Sequence, residues 1–286
     1  MGLYKIIFSP TGTSSKIAGA VVDGIRDFIS DPVGTHAEMY DCSQIVISDV
    51  THGQASSLDL GENELAVFAA PVYGGKIAPI AKDRMRTLKG KNTPCVLIAV
   101  YGNRAFENAL NDMAEFVRTL GFIPVAAGAF IGEHSYSTQQ YPVAPGRPDH
   151  EDLESAREFG FSIAEKIFSG NRSIVDVSAL HDHMISGDSL MKFYDFIKKY
   201  QESQKVSPVK LVPQIRQELC TECGACVDMC PTGAISSDFN IIDASLCIKC
   251  CACVKGCPSD ARILDTPFSP ILSECFAERK NPVWTV

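Results

Sequence analysis

The chain has 286 residues, 45% of them hydrophobic, and a formal net charge of −8. That length gives room for two domains and a sizeable core, and the acidic balance argues against a nucleic-acid partner. No apolar run approaches the ~20 residues a membrane span needs, and the first residues read as a strand rather than a secretory leader or a myristoylation signal.

Residues 3–8 (LYKIIF) read as a buried strand, and residues 14–29 place Ile17, Ala18, Val21, Val22, Ile25, Phe28 and Ile29 on one helical stripe. Between them lies Ser9-Pro10-Thr11-Gly12-Thr13-Ser14-Ser15. A hydroxyl-rich loop entering a helix N-terminus can surround a phosphate monoester with O–H and N–H donors; it can also be an ordinary helix cap. It is not a P-loop, because the spacing and the Lys-Ser/Thr ending are absent.

Residues 37–40 suggest a weak second strand. Residues 41–64 are polar and poorly periodic, so a helix there is short or missing. Residues 65–70 form a continuous apolar strand followed by Pro71-Val72-Tyr73-Gly74-Gly75, and residues 79–88 fit a helix. Residues 95–101 are another buried strand, followed by Gly102-Asn103-Arg104 and a helix to residue 120. Residues 122–131 are a fifth strand, followed by His134, Ser135 and Tyr136, which border a bound cofactor or belong to a lid. Asp149 caps a helix with Leu153, Ala156, Phe159, Ile163 and Ile167 on its stripe. Alternating strands and helices imply a parallel sheet with right-handed crossovers.

The loop at Ser9, Thr11, Gly12 and Ser14 resembles the flavodoxin phosphate loop, Thr-x-Thr-Gly-x-Thr, with Ser at position 9 and Thr13 where Asn is common. The resemblance implies an α/β, flavodoxin-like, doubly wound five-stranded sheet of order 2-1-3-4-5, with FMN at the carboxyl ends of the strands. Residues implied at the flavin are Ser9, Thr11, Gly12, Thr13, Ser14, Pro71, Val72, Tyr73, Gly74, Gly75, Tyr101, Gly102, Asn103 and Arg104. Tyr73 and Tyr101 are the candidate aromatics beside the ring; Arg104 brings it positive charge or pairs on the surface. Cys42 and Cys95 behave as small apolar residues.

From residue 170 to 209 the pattern thins. His181-Asp182-His183 reads as solvated linker, since no third metal ligand is near. Residues 189–200 hold one amphipathic helix (Leu190, Phe193, Tyr194, Ile197).

Nine of the twelve cysteines lie between 220 and 257. There the chain repeats itself with a period of 27 residues: Cys220, Cys223, Cys226, Cys230, Pro231, then Cys247, Cys250, Cys253, Cys257, Pro258. Zinc usually takes two separated Cys pairs, and disulfide scaffolds belong to short secreted chains. The doubled Cys-x2-Cys-x2-Cys-x3-Cys-Pro run resembles bacterial two-cluster ferredoxins over about residues 211–265. In that family the fourth cysteine of each run serves the other cluster. That rule assigns Cys220, Cys223, Cys226 and Cys257 to one [4Fe-4S] cluster, and Cys247, Cys250, Cys253 and Cys230 to the second. Cys251, where the first half has Gly224, is read as a non-ligand, an alternative cluster form using it being the other possibility.

Residues 267–286 carry Phe268, Leu272, Phe276 and Trp284, a tail that needs an apolar surface to lie on. The expected division is a flavodoxin-like domain at 1–170, a linker with one helix at 171–210, a ferredoxin domain at 211–265, and a tail at 266–286 packed at the domain junction. The whole chain resembles the flavodoxin-ferredoxin fusion proteins of anaerobic bacteria and archaea, supported further by Tyr101-Gly102-Asn103-Arg104 and Gly146-Arg147-Pro148-Asp149.

What the resemblance implies is electron transfer in a reducing cytoplasm. Clusters pass single electrons whereas a flavin takes one or two. With two clusters the charge falls to about −12, which favours a soluble redox protein with a basic docking face. Three functions compete: an electron carrier, a flavin-site reductase of oxygen, peroxide or a quinone, and a regulatory module with structural or sensory clusters. No GxGxxG fingerprint supports direct nicotinamide use, and no obvious acid/base set marks a dedicated substrate pocket.

Overall fold

The computed structural model describes residues 2–30, 45–182 and 187–286. The elements run β1 (Gly2–Ile7), α1 (Thr13–Ser30), β2 (Ile45–Asp49), β3 (Leu58–Leu60), β4 (Glu64–Tyr73), β5 (Lys76–Ile77), α2 (Pro79–Met85), β6 (Leu88–Gly90), β7 (Thr93–Tyr101), α3 (Ala109–Thr119), β8 (Phe122–Ile131) and α4 (His150–Phe168). They continue with α5 (Gly187–Val206), β9 (Gln214–Ile215), α6 (Ala225–Asp228), α7 (Ala252–Lys255), β10 (Arg262–Ile263), α8 (Phe268–Phe276) and β11 (Val283–Thr285).

The main sheet has the order β11-β8-β7-β4-β1-β2. Its first five strands in the order β2-β1-β4-β7-β8 are parallel, which is the doubly wound 2-1-3-4-5 arrangement of flavodoxin-like folds. Its strands are apolar on both faces because both are covered. Leu3, Ile7, Val67, Ala69, Ile98 and Phe130 pack under α1 and α4, while Ile6, Phe8, Phe68, Leu97 and Ile131 pack against Ala81, Met85, Leu110 and Met113 of α2 and α3. The alternation along each strand is the period of two that sends successive side chains to opposite faces.

The second strand differs from expectation. Residues 37–40 and Cys42 lie outside the described residues, and β2 is Ile45–Asp49, inside the stretch read as polar. It is an edge strand whose short apolar run, Ile45-Val46-Ile47, stands among polar residues, with Val46 and Ile47 exposed. Among the described residues no helix stands between β2 and β4.

The C-terminal tail also differs. Beyond α8 it enters the main sheet: β11 pairs antiparallel with β8, Trp284 opposite Gly128. Trp284 packs on Phe159 of α4 at 5.4 Å between ring centroids. Before it, α8 packs on α5 through Phe193, Leu272 and Phe276, with Val143 from the β8–α4 loop completing the cluster. The stripe of α5 is Leu190, Phe193, Phe196 and Ile197; Tyr194, expected on it, is exposed. Asp182 does not sit in solvated linker either. Its carboxylate accepts the N–H groups of Phe106 and Glu107 at 2.8 and 2.9 Å, fixing the approach to α3.

Asp149 caps α4, its side chain and that of Asp152 each accepting the other's backbone N–H. Asp152 is fully buried and pairs with Arg147, which also donates to the Lys280 carbonyl at 2.8 Å. Replacing Asp152 by Ala leaves the buried guanidinium with only the Lys280 carbonyl and the more distant Asp149 carboxylate at 3.8 Å, so unfolding in urea is expected to show a loss of about 3 kcal/mol. An unchanged midpoint would show that Arg147 finds another partner.

Candidate functional site

An open cleft of about 240 Å³ lies at the carboxyl ends of β1, β4, β7 and β8. Of the residues expected at the flavin, Ser9, Thr11, Thr13, Ser14, Pro71, Val72, Tyr73, Gly74, Tyr101 and Gly102 line it. The loop after β1 is braced from two sides. The Ser9 N–H donates to Thr51 Oγ1 at 2.9 Å, and Ser9 Oγ accepts the Ser15 N–H at 3.0 Å. Gly12 turns the chain with φ +78°, a backbone conformation that favours glycine. Thr11 and Thr13 hydroxyls lie 3.2 Å apart. Among the described residues the N–H groups of Thr13 and Ser14, in the first turn of α1, meet no acceptor. Free amides at a helix N-terminus beside several hydroxyls are a donor set that fits a phosphate.

Four expected residues stand off the cleft. Gly12 shapes the loop from behind, and Gly75 is covered by Glu107. The Asn103 side chain is buried and donates to the carbonyls of Phe276 and Glu278 at 2.7 and 2.8 Å, which anchors the tail. Arg104 pairs with Glu107 and lies over the Phe193 ring at 5.6 Å. Tyr101 contributes to the wall, but its side chain is only 2% exposed and meets Phe106 edge-on at 5.5 Å. Burial pushes its phenol above the ordinary range. The partly exposed aromatics of the cleft are Tyr73 and Tyr136.

The far wall of the cleft comes from the C-terminal part of the chain: Ile248, Lys249 and Cys250. Burial, and then the nearby Cys250 and Cys251 thiols, hold the Tyr73 phenol well above its usual pKa. His134 accepts the Tyr136 N–H at Nδ1, 3.0 Å, and burial brings its imidazole down to about 4, so it is neutral at physiological pH with a proton on Nε2. Lys255 of α7 bridges to Glu133 at 2.5 Å and to the Ser137 carbonyl at 2.8 Å. Burial pushes the Glu133 carboxyl up, but this lysine and the Gly146 N–H outweigh it and leave it below its ordinary value. On the other side Arg84 Nη2 donates to the Pro231 carbonyl at 2.6 Å. Single long-range polar contacts of this kind leave no periodic trace in a sequence, and neither bridge was legible there.

The cysteines form two rings, not two sequence-local sets. Cys230, Cys247, Cys250 and Cys253 line one small cavity together with Cys251, a fifth thiol; Cys220, Cys223, Cys226 and Cys257 line another. Cys250 belongs to both the first ring and the cleft wall, so that ring is the inner one. Among the described residues no three His, Cys, Asp or Glu side chains converge so as to hold a single metal ion. Thiols spaced around a gap suit a polynuclear cluster rather than tetrahedral zinc. The last cysteine of each run is matched in environment. Burial pushes Cys230 and Cys257 up, but amide N–H groups outweigh it and leave both thiols below their ordinary value. The amides belong to Thr232, Ala234 and Ile235 in one half and to Ser259, Ala261 and Arg262 in the other. Cys251 lies at the N-terminus of α7 with φ +60°, where Gly224 has φ +74° before α6. It is 1% exposed.

The sequence model of the 4Fe-4S binding domain family matches residues 213–236, which contain the first cysteine run. No curated protein matches the chain. Among solved structures, an archaeal flavodoxin is 14% identical with a TM-score of 0.38, covering 59% of this chain and 99% of that one. The flavodoxin of Streptococcus pneumoniae TIGR4 is 17% identical with a TM-score of 0.37, covering 58% and 99%. That of Megasphaera elsdenii is 10% identical with a TM-score of 0.36, covering 57% and 98%. The chain thus joins a flavodoxin-like sheet, defined by its own strand order, to a 4Fe-4S binding domain. No helix among the described residues is long and apolar enough to cross a membrane.

Proposed function

We propose that the protein is an electron-transfer iron–sulfur flavoprotein, with FMN in the cleft and a [4Fe-4S] cluster in each thiol ring. The observation that carries this reading is the shared wall: the hydroxyl-rich loop, Tyr73 and Cys250 of the inner ring line one cleft. A flavin held there exchanges electrons in ones or twos, and the inner cluster supplies them singly. On this reading residues 1–170 hold the flavin, 171–210 link, 211–265 hold the clusters, and 266–286 lock the parts together. Thr11, Thr13 and Ser14 hold the phosphate through hydroxyls and the free amides of α1. Tyr73 and Tyr136 flank the cleft and exclude water from the path to Cys250. Electrons enter at the outer ring, where Cys223 is exposed, from a redox protein whose basic docking face answers the net charge of −8.

Reconstituted protein is expected to carry about eight irons, and Thr11→Ala to weaken FMN while sparing riboflavin, which lacks the phosphate. Losing one charge-assisted hydrogen bond costs about 1.5 to 3 kcal/mol, roughly tenfold or more in affinity. Equal weakening of both flavins would leave the loop as a helix cap and remove the basis for FMN.

A further inference from the structure

The 27-residue repeat extends beyond the cysteines. Left-handed backbone recurs at Glu222 and Lys249, at Gly224 and Cys251, and at Gly233 and Asp260, each pair 27 positions apart. The halves therefore correspond residue for residue, and Ile235 in the first occupies the place of Arg262 in the second. Ile235 lines the inner ring. Arg262 lines the outer one.

The two positions are equally buried, Ile235 at 6% and Arg262 at 3% exposed, but their chemistry is opposite. The Arg262 guanidinium donates through Nη2 to the Phe239 carbonyl and sits 3.7 Å from Cys226 Sγ. Among the described residues its Nε and Nη1 are buried without a hydrogen-bond partner. A buried, permanently charged group with two idle donors is costly unless an anion meets it. The side chains that share its cavity include Cys220, Cys223, Cys226 and Cys257. A cluster held by these four thiolates would supply the missing anion and acceptors.

We infer that Arg262 is the counter-charge of the outer cluster and that the Arg262/Ile235 difference makes the two clusters unequal, the outer having the higher reduction potential. This rests on the two-cluster reading above. Reducing a cluster adds one electron and no proton, so a fixed positive charge favours the reduced form. The inner ring feels the same charge at Cys253, yet Arg262 lies on the outer cavity's wall and not on the inner one's. At an effective dielectric of about 20, a unit charge several ångströms away shifts the equilibrium for one electron by roughly tenfold to a hundredfold. That corresponds to about 60 to 120 mV at 59 mV per tenfold. The first electron from a donor therefore rests at the outer ring, away from the cleft.

The test is an EPR-monitored redox titration of the full-length, reconstituted protein with iron counted in parallel. Wild type should show two separated one-electron cluster waves. Arg262→Ile, which copies the sister half, should lower the upper wave towards the lower by the factor above while the iron count holds, and Arg262→Lys should keep most of the separation. Ile235→Arg carries the same test from the other half, raising the lower wave, should Arg262→Ile fail to hold its clusters. Eight irons with coincident wild-type waves, or with waves that neither Arg262→Ile nor Ile235→Arg moves, overturns the inference alone. A wild-type count near four irons overturns the two-cluster reading and this inference with it.

Discussion

Protein carrying Cys230→Ala is expected to keep about four irons, all in the outer ring, and to lose passage of electrons from clusters to the flavin by a hundredfold or more. Cys230 stands in the first sequence run but lines the cavity of Cys247, Cys250 and Cys253. Removing it would leave an inner cluster one thiolate short, and burial pushes up the three thiols that remain, half-buried Cys247 as well as buried Cys250, to about 11, and Cys253, to about 12. Such thiols give up their protons only to a metal, so the incomplete ring fills poorly. Cys257→Ala is the mirror case: the outer cluster goes and the inner one, beside the cleft, still exchanges electrons with the flavin. Iron counts with EPR on the two variants, followed by rapid mixing with a chemical reductant, read the difference. If Cys230→Ala instead abolishes the cluster of Cys220, Cys223 and Cys226, each run serves its own site and the crossed rings are wrong.

The doubled cysteine run was legible in the sequence because its spacing is a local pattern stated twice at a 27-residue period; the crossed assignment came from the ferredoxin resemblance, and the cavity linings of Cys230 and Cys257 agree with it. The parallel sheet was legible for a similar reason: buried strands such as β4 and β7 are continuous apolar runs. The sequence was silent where partners are distant. Strand β2 is a short apolar run, Ile45-Val46-Ile47, isolated in a polar stretch, and β11 is a three-residue strand recognisable only once β8 is seen to lack a neighbour on that side. Tyr101 ends a strand and Asn103 follows it, at the end of the sheet where the resemblance implied the flavin. Asn103 turns instead to the carbonyls of Phe276 and Glu278, and Tyr101 sinks into the core beside Phe106. Arg262 has no motif at all, and its meaning appears only when its buried, idle N–H groups are set beside Ile235.

In rapid mixing, reduced clusters are expected to pass electrons to the bound flavin at a rate independent of protein concentration, and Phe268→Ala to lower that rate with both cofactors retained. Several contacts hold the inner ring against the cleft. Ile248 and Tyr73 pack against the same core, Lys255 grips Glu133 and the Ser137 carbonyl, and Arg84 grips the Pro231 carbonyl. Helix α8 braces this junction: Phe268 meets Tyr200 at 4.8 Å, Phe196 at 5.3 Å and Tyr136 of the cleft at 6.2 Å, and Ser269 Oγ donates to the Tyr136 carbonyl at 2.9 Å. Truncating a packed Phe to Ala costs about 3 to 5 kcal/mol, less where the site relaxes, and here the loss falls on the brace rather than on either cofactor loop. Deleting everything after Asp265 is a poorer experiment, because it also strips β11 from β8 and Trp284 from Phe159, so the sheet that carries the cleft weakens with the junction. A rate that rises in proportion to concentration would mean that electrons cross between molecules, and the shared wall of Tyr73 and Cys250 would then have no part in the transfer.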